Sequence, residues 1–343
     1  MSRSEWAGGG RESGPSRREC LSGLVSGGLC LITPSLWGAV PAAGANPQRL
    51  DGHSDNVYAL VSEPRGRWLA SVSEDATVRI WDWPEGKTRH RLRGDDAFYD
   101  AVVTPTDGHI LVSDGGGRLH CFEPVLGRTV RRWKSHDDPI YALAVSGDGQ
   151  ILAAGGGEDD PVCRLWPVSG GPCLRTLEGH RDALYGLAFS DDGRWLASAS
   201  ADRTVRIWNP GTGQLQGVLK HDNYVYRCRF VPRRPILATA CHDKCLRLWN
   251  VESGECLATF TEAKGPLFAV AFSPDGRHLV AAGEDRKVRV YDWNRRHCLG
   301  VVAESKDVLY AVGFTGGADP MLAAAGGDSR IHLFSWQPPP LRP

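Results

Sequence analysis

The sequence predicts an all-β chain built from seven copies of one unit, and three observations carry that prediction. First, an aromatic residue closes a short β-rich run such as "TVRIW" at Trp81, Phe122, Trp166, Trp208, Trp249, Tyr291 and Phe334, with gaps of 41, 44, 42, 41, 42 and 43 residues. A fixed period of this length marks a repeat architecture. Second, six residues before each aromatic stands Asp75, Gly116, Asp160, Asp202, Asp243, Asp285 or Asp328, so only the second unit breaks the rule. Third, no segment sustains a helical period, while 41 glycines and 22 prolines supply turns.

Taken in chain order, residues 1–45 stand apart. Two arginines in "SRRECL" precede a mild apolar, glycine-rich run, and the small-residue segment "PAAGA" then places Ala43 and Ala45 for cleavage after Ala45. Charged, apolar, then small is the order of an export signal. The Arg pair resembles the twin-arginine type, with Cys20 where that family has a bulky apolar residue. The resulting expectation is a signal peptide over 1–45, the folded domain over 46–337 and a Pro-rich tail over 338–343. The address is then a bacterial periplasm, with no stable membrane span after processing. The alternative is a cytoplasmic protein whose N-terminus is no signal. With 40 basic and 40 acidic residues, formal charge is zero. That argues against nucleic acid or an anionic membrane as partner.

Within one unit the pattern gives four short strands. "LYGLAF" is apolar, "SDDG" turns, "RWLASAS" alternates, "ADR" turns tightly, "TVRIW" alternates again, and "QLQGVL" follows the turn "NPGTG". The unit containing "EGH" (178–180) and "FSDDGRWLASASADRTVRIW" resembles the WD-repeat family, whose members are β-propellers. The resemblance covers about residues 47 to 336. "QRLDGH" (48–53) has the form of a fourth strand without its first three, and "RIHLFSW" (330–336) a third strand without its fourth. Joined, they complete one blade, so the expected fold is a seven-bladed propeller sealed by its two ends.

The stretch "LASASADRTVRIW" sets a serine near an aspartate, with a histidine upstream, and so asks whether the chain is a hydrolase. The WD-repeat resemblance implies instead a buried hydrogen-bonded set of His, Ser or Thr, Asp and Trp. Blade four matches with His180, Ser200, Asp202 and Trp208, and blade one with His53, Ser73, Asp75 and Trp81. Blade five offers His221, Asp243 and Trp249 with Cys241 in the serine position. Blade three keeps His136, Asp160 and Trp166, but its extra residues "GGGEDDP" leave the hydroxyl missing. Blades two, six and seven lack both histidine and tryptophan. Nucleophile-elbow patterns are absent, and the set recurs from blade to blade, so no catalytic residue is expected.

An aromatic also sits just inside the first strand of every unit: Tyr58, Tyr99, Tyr141, Tyr185, Tyr226, Phe268 and Tyr310. Two readings stay open. The rings anchor a partner at the channel mouth, re-aimed there by a bulge, or they pack between blades. Of ten cysteines, Cys173, Cys256 and Cys298 recur at one strand position and read as packing residues. Cys241 and Cys245 in "CHDKC" flank a tight turn, where a disulfide is one reading and a metal site with His242 another. No phosphate-binding loop or dinucleotide fingerprint occurs, so no cofactor is expected. The function expected is a non-enzymatic scaffold that binds a protein or peptide partner in the cell envelope, through its channel-mouth face. The alternative is an accessory protein holding a small molecule or cofactor in the channel.

Overall fold

The computed structural model describes residues 48–336. The expected signal peptide (1–45), Cys20, Cys30 and the tail (338–343) lie outside the described residues. Twenty-eight strands form seven four-stranded antiparallel sheets. The strand β1 (Gln48–Leu50) precedes blade one, which is β2 (Val57–Ser62), β3 (Trp68–Ser73), β4 (Thr77–Asp82) and β5 (Lys87–Arg93). Blade two is β6 (Phe98–Val103), β7 (Ile110–Asp114), β8 (Arg118–Glu123) and β9 (Arg128–Lys134). Blade three follows as β10 (Ile140–Val145), β11 (Ile151–Gly156), β12 (Cys163–Pro167) and β13 (Arg175–Leu177).

Blade four is β14 (Leu184–Phe189), β15 (Leu196–Ser200), β16 (Thr204–Trp208) and β17 (Leu215–Lys220). Blade five is β18 (Val225–Phe230), β19 (Ile236–Cys241), β20 (Leu246–Asn250) and β21 (Cys256–Phe260). Blade six is β22 (Leu267–Phe272), β23 (His278–Gly283), β24 (Lys287–Asp292) and β25 (His297–Glu304). Blade seven takes β26 (Leu309–Phe314), β27 (Met321–Gly326) and β28 (Ile331–Ser335) from the end of the chain.

The fourth strand of blade seven is β1. It pairs antiparallel with β28 in the register Gln48↔Leu333, Arg49↔His332 and Leu50↔Ile331. The fold is therefore the expected seven-bladed β-propeller, closed by its two ends. Burial explains the sequence pattern strand by strand. Inner strands lie between neighbouring blades and read as near-continuous small or apolar runs; all six residues of "WLASVS" in β3 are buried. Outer strands face water, so "KTRHRLR" in β5 is exposed or half-buried throughout.

Each interface between blades is its own core. Trp68, Ala70 and Ile80 of blade one meet Phe98, Ile110 and Phe122 of blade two, all at most 2 % exposed. Each large side chain so buried stabilises the fold by roughly 1.5–3 kcal/mol. The second unit, which lacks the turn aspartate, finds a substitute: Asp114, two residues before Gly116, accepts the Arg118 amide at 2.7 Å, and Gly117 takes the left-handed turn position (φ 70°). The insert in blade three is absorbed in a longer turn, where the Gly156 amide reaches the Val162 carbonyl at 3.1 Å.

Leu50 is 2 % exposed and sits with Leu69, Trp81, Ile331 and Leu333 at the seam. Leu50→Ala is expected to destabilise the protein by about 2–4 kcal/mol. Removing β1 altogether is expected to lower the melting temperature further and to raise light scattering, because β28 becomes an open edge. Thermal melts with static scattering check both outcomes.

Candidate functional site

The polar sets in blades one and four are four-membered and share the same partners at similar distances. In blade one, His53 Nδ1 lies 3.0 Å from Asp75 Oδ2 and His53 Nε2 lies 2.7 Å from Ser71 Oγ. Trp81 Nε1 donates to the same hydroxyl at 2.9 Å. In blade four, His180 reaches Asp202 and Ser198 at 2.7 Å each, and Trp208 Nε1 donates to Ser198 at 2.8 Å. With Nδ1 protonated, donation runs from tryptophan to serine to histidine to aspartate.

The serine of each set is thus Ser71 or Ser198, which corrects the expectation of Ser73 and Ser200. The two candidates lie two residues apart and so project from the same side of one strand. Ser73 and Ser200 hold the turns instead: Ser200 Oγ donates to the Asp182 carbonyl at 2.8 Å and accepts the Asp202 amide at 3.0 Å, while Ser73 does the same for Asp55 and Asp75. All four serines are fully buried. None is placed to attack a substrate.

Blade five differs in kind. Thr239 supplies the hydroxyl, 2.9 Å from His221 Nε2 and 3.1 Å from Trp249 Nε1, so Cys241 does not stand in for it. Asp243 pairs with Arg247 at 2.6 Å, and His221 Nδ1 lies near the Leu219 carbonyl at 3.3 Å. In blade three the hydroxyl is not missing: Ser135, next to the histidine, bonds both His136 Nδ1 and Trp166 Nε1 at 2.9 Å.

A basic residue missed in the sequence stands two residues before every closing aromatic, and in five blades it partners the turn carboxylate. Where the loop histidine does not take the carboxylate, Arg164, Arg247 and Arg289 form ion pairs with Asp160, Asp243 and Asp285 at 2.6–2.7 Å. In blades two and seven the position is His120 or His332, paired with Asp114 or Asp328 at 2.7 and 2.6 Å. The signal was available as the recurring Arg or His in "VRIW", "LRLW", "LHCF" and "IHLF".

Electrostatics follow from this wiring. Burial alone would raise the Asp202 carboxyl, but hydrogen bonds from His180 and Thr204 hold it down at about 2. Asp75 is lowered further by the same arrangement with His53 and Thr77. His136 and His221 are depressed to about 4, first by burial and then by the arginine beside each, Arg164 and Arg247.

The seven strand-start aromatics form a closed annulus. Going round from Tyr58, successive ring centroids lie 5.4, 5.0, 5.6, 5.3, 4.9, 5.7 and 5.5 Å apart through Tyr99, Tyr141, Tyr185, Tyr226, Phe268 and Tyr310 and back. Every first strand shifts register at this residue, as at Val57/Ala59 and Leu184/Gly186. The aromatic is therefore the extra residue of a β-bulge in all seven blades. The rings are at most 5 % exposed. They touch one another across the blade boundaries, so they offer no open area as partner anchors in this conformation. Two of the hydroxyls are tied at the rim: Tyr58 Oη donates to Glu74 at 2.6 Å, and Tyr226 Oη lies 3.0 Å from His242 Nδ1.

Directly after the annulus comes a pair that sequence reasoning missed. Arg227 of blade five donates to both oxygens of Asp100 in blade two, at 2.7 and 3.2 Å, and to the Tyr185 carbonyl at 3.3 Å. Asp100 also accepts the Leu143 amide at 2.9 Å. Both side chains are buried. Inner strands three blades apart are thereby bridged across the central axis, which bars the channel below the aromatics. Corresponding positions in the other blades are Ala59, Ala142, Gly186, Ala269 and Ala311, and a Cβ at Gly186 would lie 2.9 Å from Arg227 Cα.

Cys241 and Cys245 are free thiols, which corrects the disulfide reading. Their sulfurs point apart, Cys241 toward the Asn223 carbonyl at 3.3 Å and Cys245 toward the Asp243 carbonyl at 3.6 Å. Burial pushes Cys241 up to about 12. Among the described residues no group of three His, Cys, Asp or Glu is placed to hold a metal ion. Cys173 and Cys256 are exposed rather than packed, while the half-buried Cys298 packs near Tyr291.

Two outcomes test this wiring. In double-mutant cycles, Ser198→Ala and Trp208→Phe are expected to couple by about 1 kcal/mol or more, whereas Ser200→Ala and Trp208→Phe add within about 0.5 kcal/mol. For pH, unfolded histidine binds its proton near 6.5 while His136 and His221 resist until about 4. The unfolded state therefore holds more protons between those values, and stability falls as pH drops from 6.5 to 4, on the order of 2 kcal/mol per histidine. Denaturant titrations at pH 7, 5.5 and 4 should show this slope, and His221→Gln should flatten it.

Comparison with known proteins agrees with the geometry. A family model described as "WD domain, G-beta repeat" matches residues 44–82, 127–167, 171–209, 213–250 and 254–292. The segments it leaves out end in blades two and seven, where His120 and His332 replace the arginine. Similar proteins include the target of rapamycin complex subunit wat1 of Schizosaccharomyces pombe, 30 % identical over 46 % of this chain and 52 % of its own. Nuclear distribution protein PAC1 of Arthroderma benhamiae is 28 % identical over 58 % and 45 %, and the uncharacterized WD repeat-containing protein C25H1.08c of S. pombe 28 % over 69 % and 52 %. The chain spans about half the length of these curated relatives. With five matched repeats and the recurring Trp, His and Asp wiring, this chain belongs to the WD40 family of G-beta repeat proteins.

Proposed function

We propose that this protein is a non-enzymatic scaffold that holds a protein or peptide partner on the mouth face of its propeller. One observation carries the reading: the loops that lead into the seven inner strands meet there around the closed aromatic annulus, below which the Asp100–Arg227 pair crosses the channel. The annulus and the buried pair narrow the channel from this face, which favours a partner on the rim over a small molecule held inside. A broad rim of loop side chains suits a macromolecular partner. Asp96, Arg181, Asp222, Lys264 and Asp307 are exposed on the loops that lead into the inner strands. The relative wat1 is named as a subunit of a complex, and that supports an assembly role for this chain as well.

The address is proposed separately. The order of charged, apolar and small residues over 1–45 supports export and an envelope partner. The eukaryotic relatives, together with eight unpaired cysteines among the described residues, support the cytoplasmic alternative. Sequencing the N-terminus of the protein from its native cells separates them: a start near Asn46 supports export, an intact N-terminus the alternative.

The mouth is tested by affinity purification of the intact chain from the same cells, beside an Arg181→Glu/Asp307→Arg variant. Both residues are exposed, so the melting temperature is expected to stay within about 2 °C of the parent. Loss of the co-purifying protein from the variant supports the mouth as the contact face. Undiminished recovery overturns it.

A further inference from the structure

The outer strands of blades one and two carry a charge pattern that folding does not require. Each ends its sheet, with one row of backbone N–H and C=O groups facing outward. Blade one reads "KTRHRLR" there, with Lys87, Arg89, Arg91 and Arg93. Blade two reads "RTVRRWK", with Arg128, Arg131, Arg132 and Lys134. The two strands are neighbours: His90 Nε2 lies 3.0 Å from the Val125 carbonyl, and a Cβ on Gly127 would stand 2.4 Å from the His90 ring. The other five outer strands hold at most one Lys or Arg each.

Carboxylates neutralise only half of this belt. Arg89 pairs with Asp82, Arg128 with Glu123, Arg132 with Asp95 and Lys134 with Asp137. Lys87, Arg91, Arg93 and Arg131 have no carboxylate partner among the described residues. A protective edge charge needs one or two lysines per strand, and like charges so crowded repel. The belt is also not purely polar. Val125, Leu126 and Val130, on the outer hairpin of blade two, are 56, 62 and 48 % exposed.

Beside them a groove of about 230 Å³ opens between blades two and three. Trp133 and Trp166 line it edge to face, 6.4 Å apart, under Arg131, Arg132 and Lys134. Arg131 lies over the Trp133 ring at 4.6 Å and donates to the Val168 carbonyl, which holds it at the rim.

We propose that this belt docks an acidic, extended peptide segment of a partner protein, whose apolar or aromatic anchor enters the groove that Trp133 and Trp166 line together. The segment runs round the rim across both outer strands, where its carboxylates meet the cations that lack a carboxylate partner. Exposed valine and leucine beside a tryptophan groove suit a peptide better than an RNA backbone or a lipid surface. The surface is separate from the mouth, so either can fail alone.

The probe is a fluorescein-labelled acidic decapeptide with a central Phe-Val pair, followed by anisotropy against the intact protein at 50 mM salt. Saturable binding is expected, weakened at least tenfold by Arg91→Glu/Arg131→Glu and by 500 mM salt, and unchanged by Arg181→Glu/Asp307→Arg. Circular dichroism melts verify that each variant is folded; should the reversal fail to fold, Lys87→Glu/Arg93→Glu takes its place. Absence of saturable binding, equal binding by the folded reversal variant, or tighter binding of poly-uridine RNA or phosphatidylserine vesicles than of the peptide would each overturn the proposal.

Discussion

Ring closure by three residues is the constraint on which the rest of the structure depends. Seven sheets each bury both faces against a neighbour, so no blade is stable as an isolated layer and the last must meet the first. The pairing of Gln48–Leu50 with Ile331–Leu333 seals that junction. The annulus depends on the seal as well: Tyr58 in the first blade and Tyr310 in the last are 5.5 Å apart and complete the circle. A propeller unsealed at this point gains an open sheet edge and loses one interface core and the continuity of its inner ring together.

The bulge at the start of every inner strand is the device that converts closure into a packed centre. A regular strand would alternate its side chains between the two blade faces, leaving the axis to small groups. One extra residue lets the aromatic turn away from the sheet pairing and lean on its counterpart in the next blade. Five small residues follow the aromatics and make room for one Asp and one Arg. Those two could not sit buried and apart, because an isolated charge there would cost several kcal/mol. Their bidentate contact, with the Leu143 amide and the Tyr185 carbonyl, removes that cost and ties blades two through five.

Much of this was legible in the sequence. The period of the closing aromatics and the complementary ends were enough for the blade number and for closure. The strand-start aromatics were legible as a recurring set, but a bulge and packing between blades stood as rival readings, and the structure combines them. The family resemblance pointed to the serine at the strand end, Ser73 or Ser200; Ser71 and Ser198 lie on the same side of the strand, and only distance to the histidine separates them. Asp100 and Arg227 escaped notice because they are 127 positions apart and lie on different repeats. Comparing repeats column by column exposes them, since one column holds only Ala or Gly except for that acid and that base. The basic outer strands were hidden by a net charge of zero, which averages over a molecule that crowds eight of its 40 Lys and Arg onto two outer strands.

The turn aspartate shows how a repeat keeps a physical requirement while changing its residues. Every turn places a carboxylate under the surface, and every blade answers it with one basic group: His53 and His180 from the loop, Arg164, Arg247 and Arg289 from the third strand, or His120 and His332 from that same strand. Blade two even moves the carboxylate, from the position of Gly116 to Asp114, and moves its partner's identity with it. What is held constant is the pairing of a buried acid, and the family pattern records only its commonest form. The blades that depart from that pattern keep its electrostatics, so departure from the family's residues in blades two and seven is no sign of a weaker wheel.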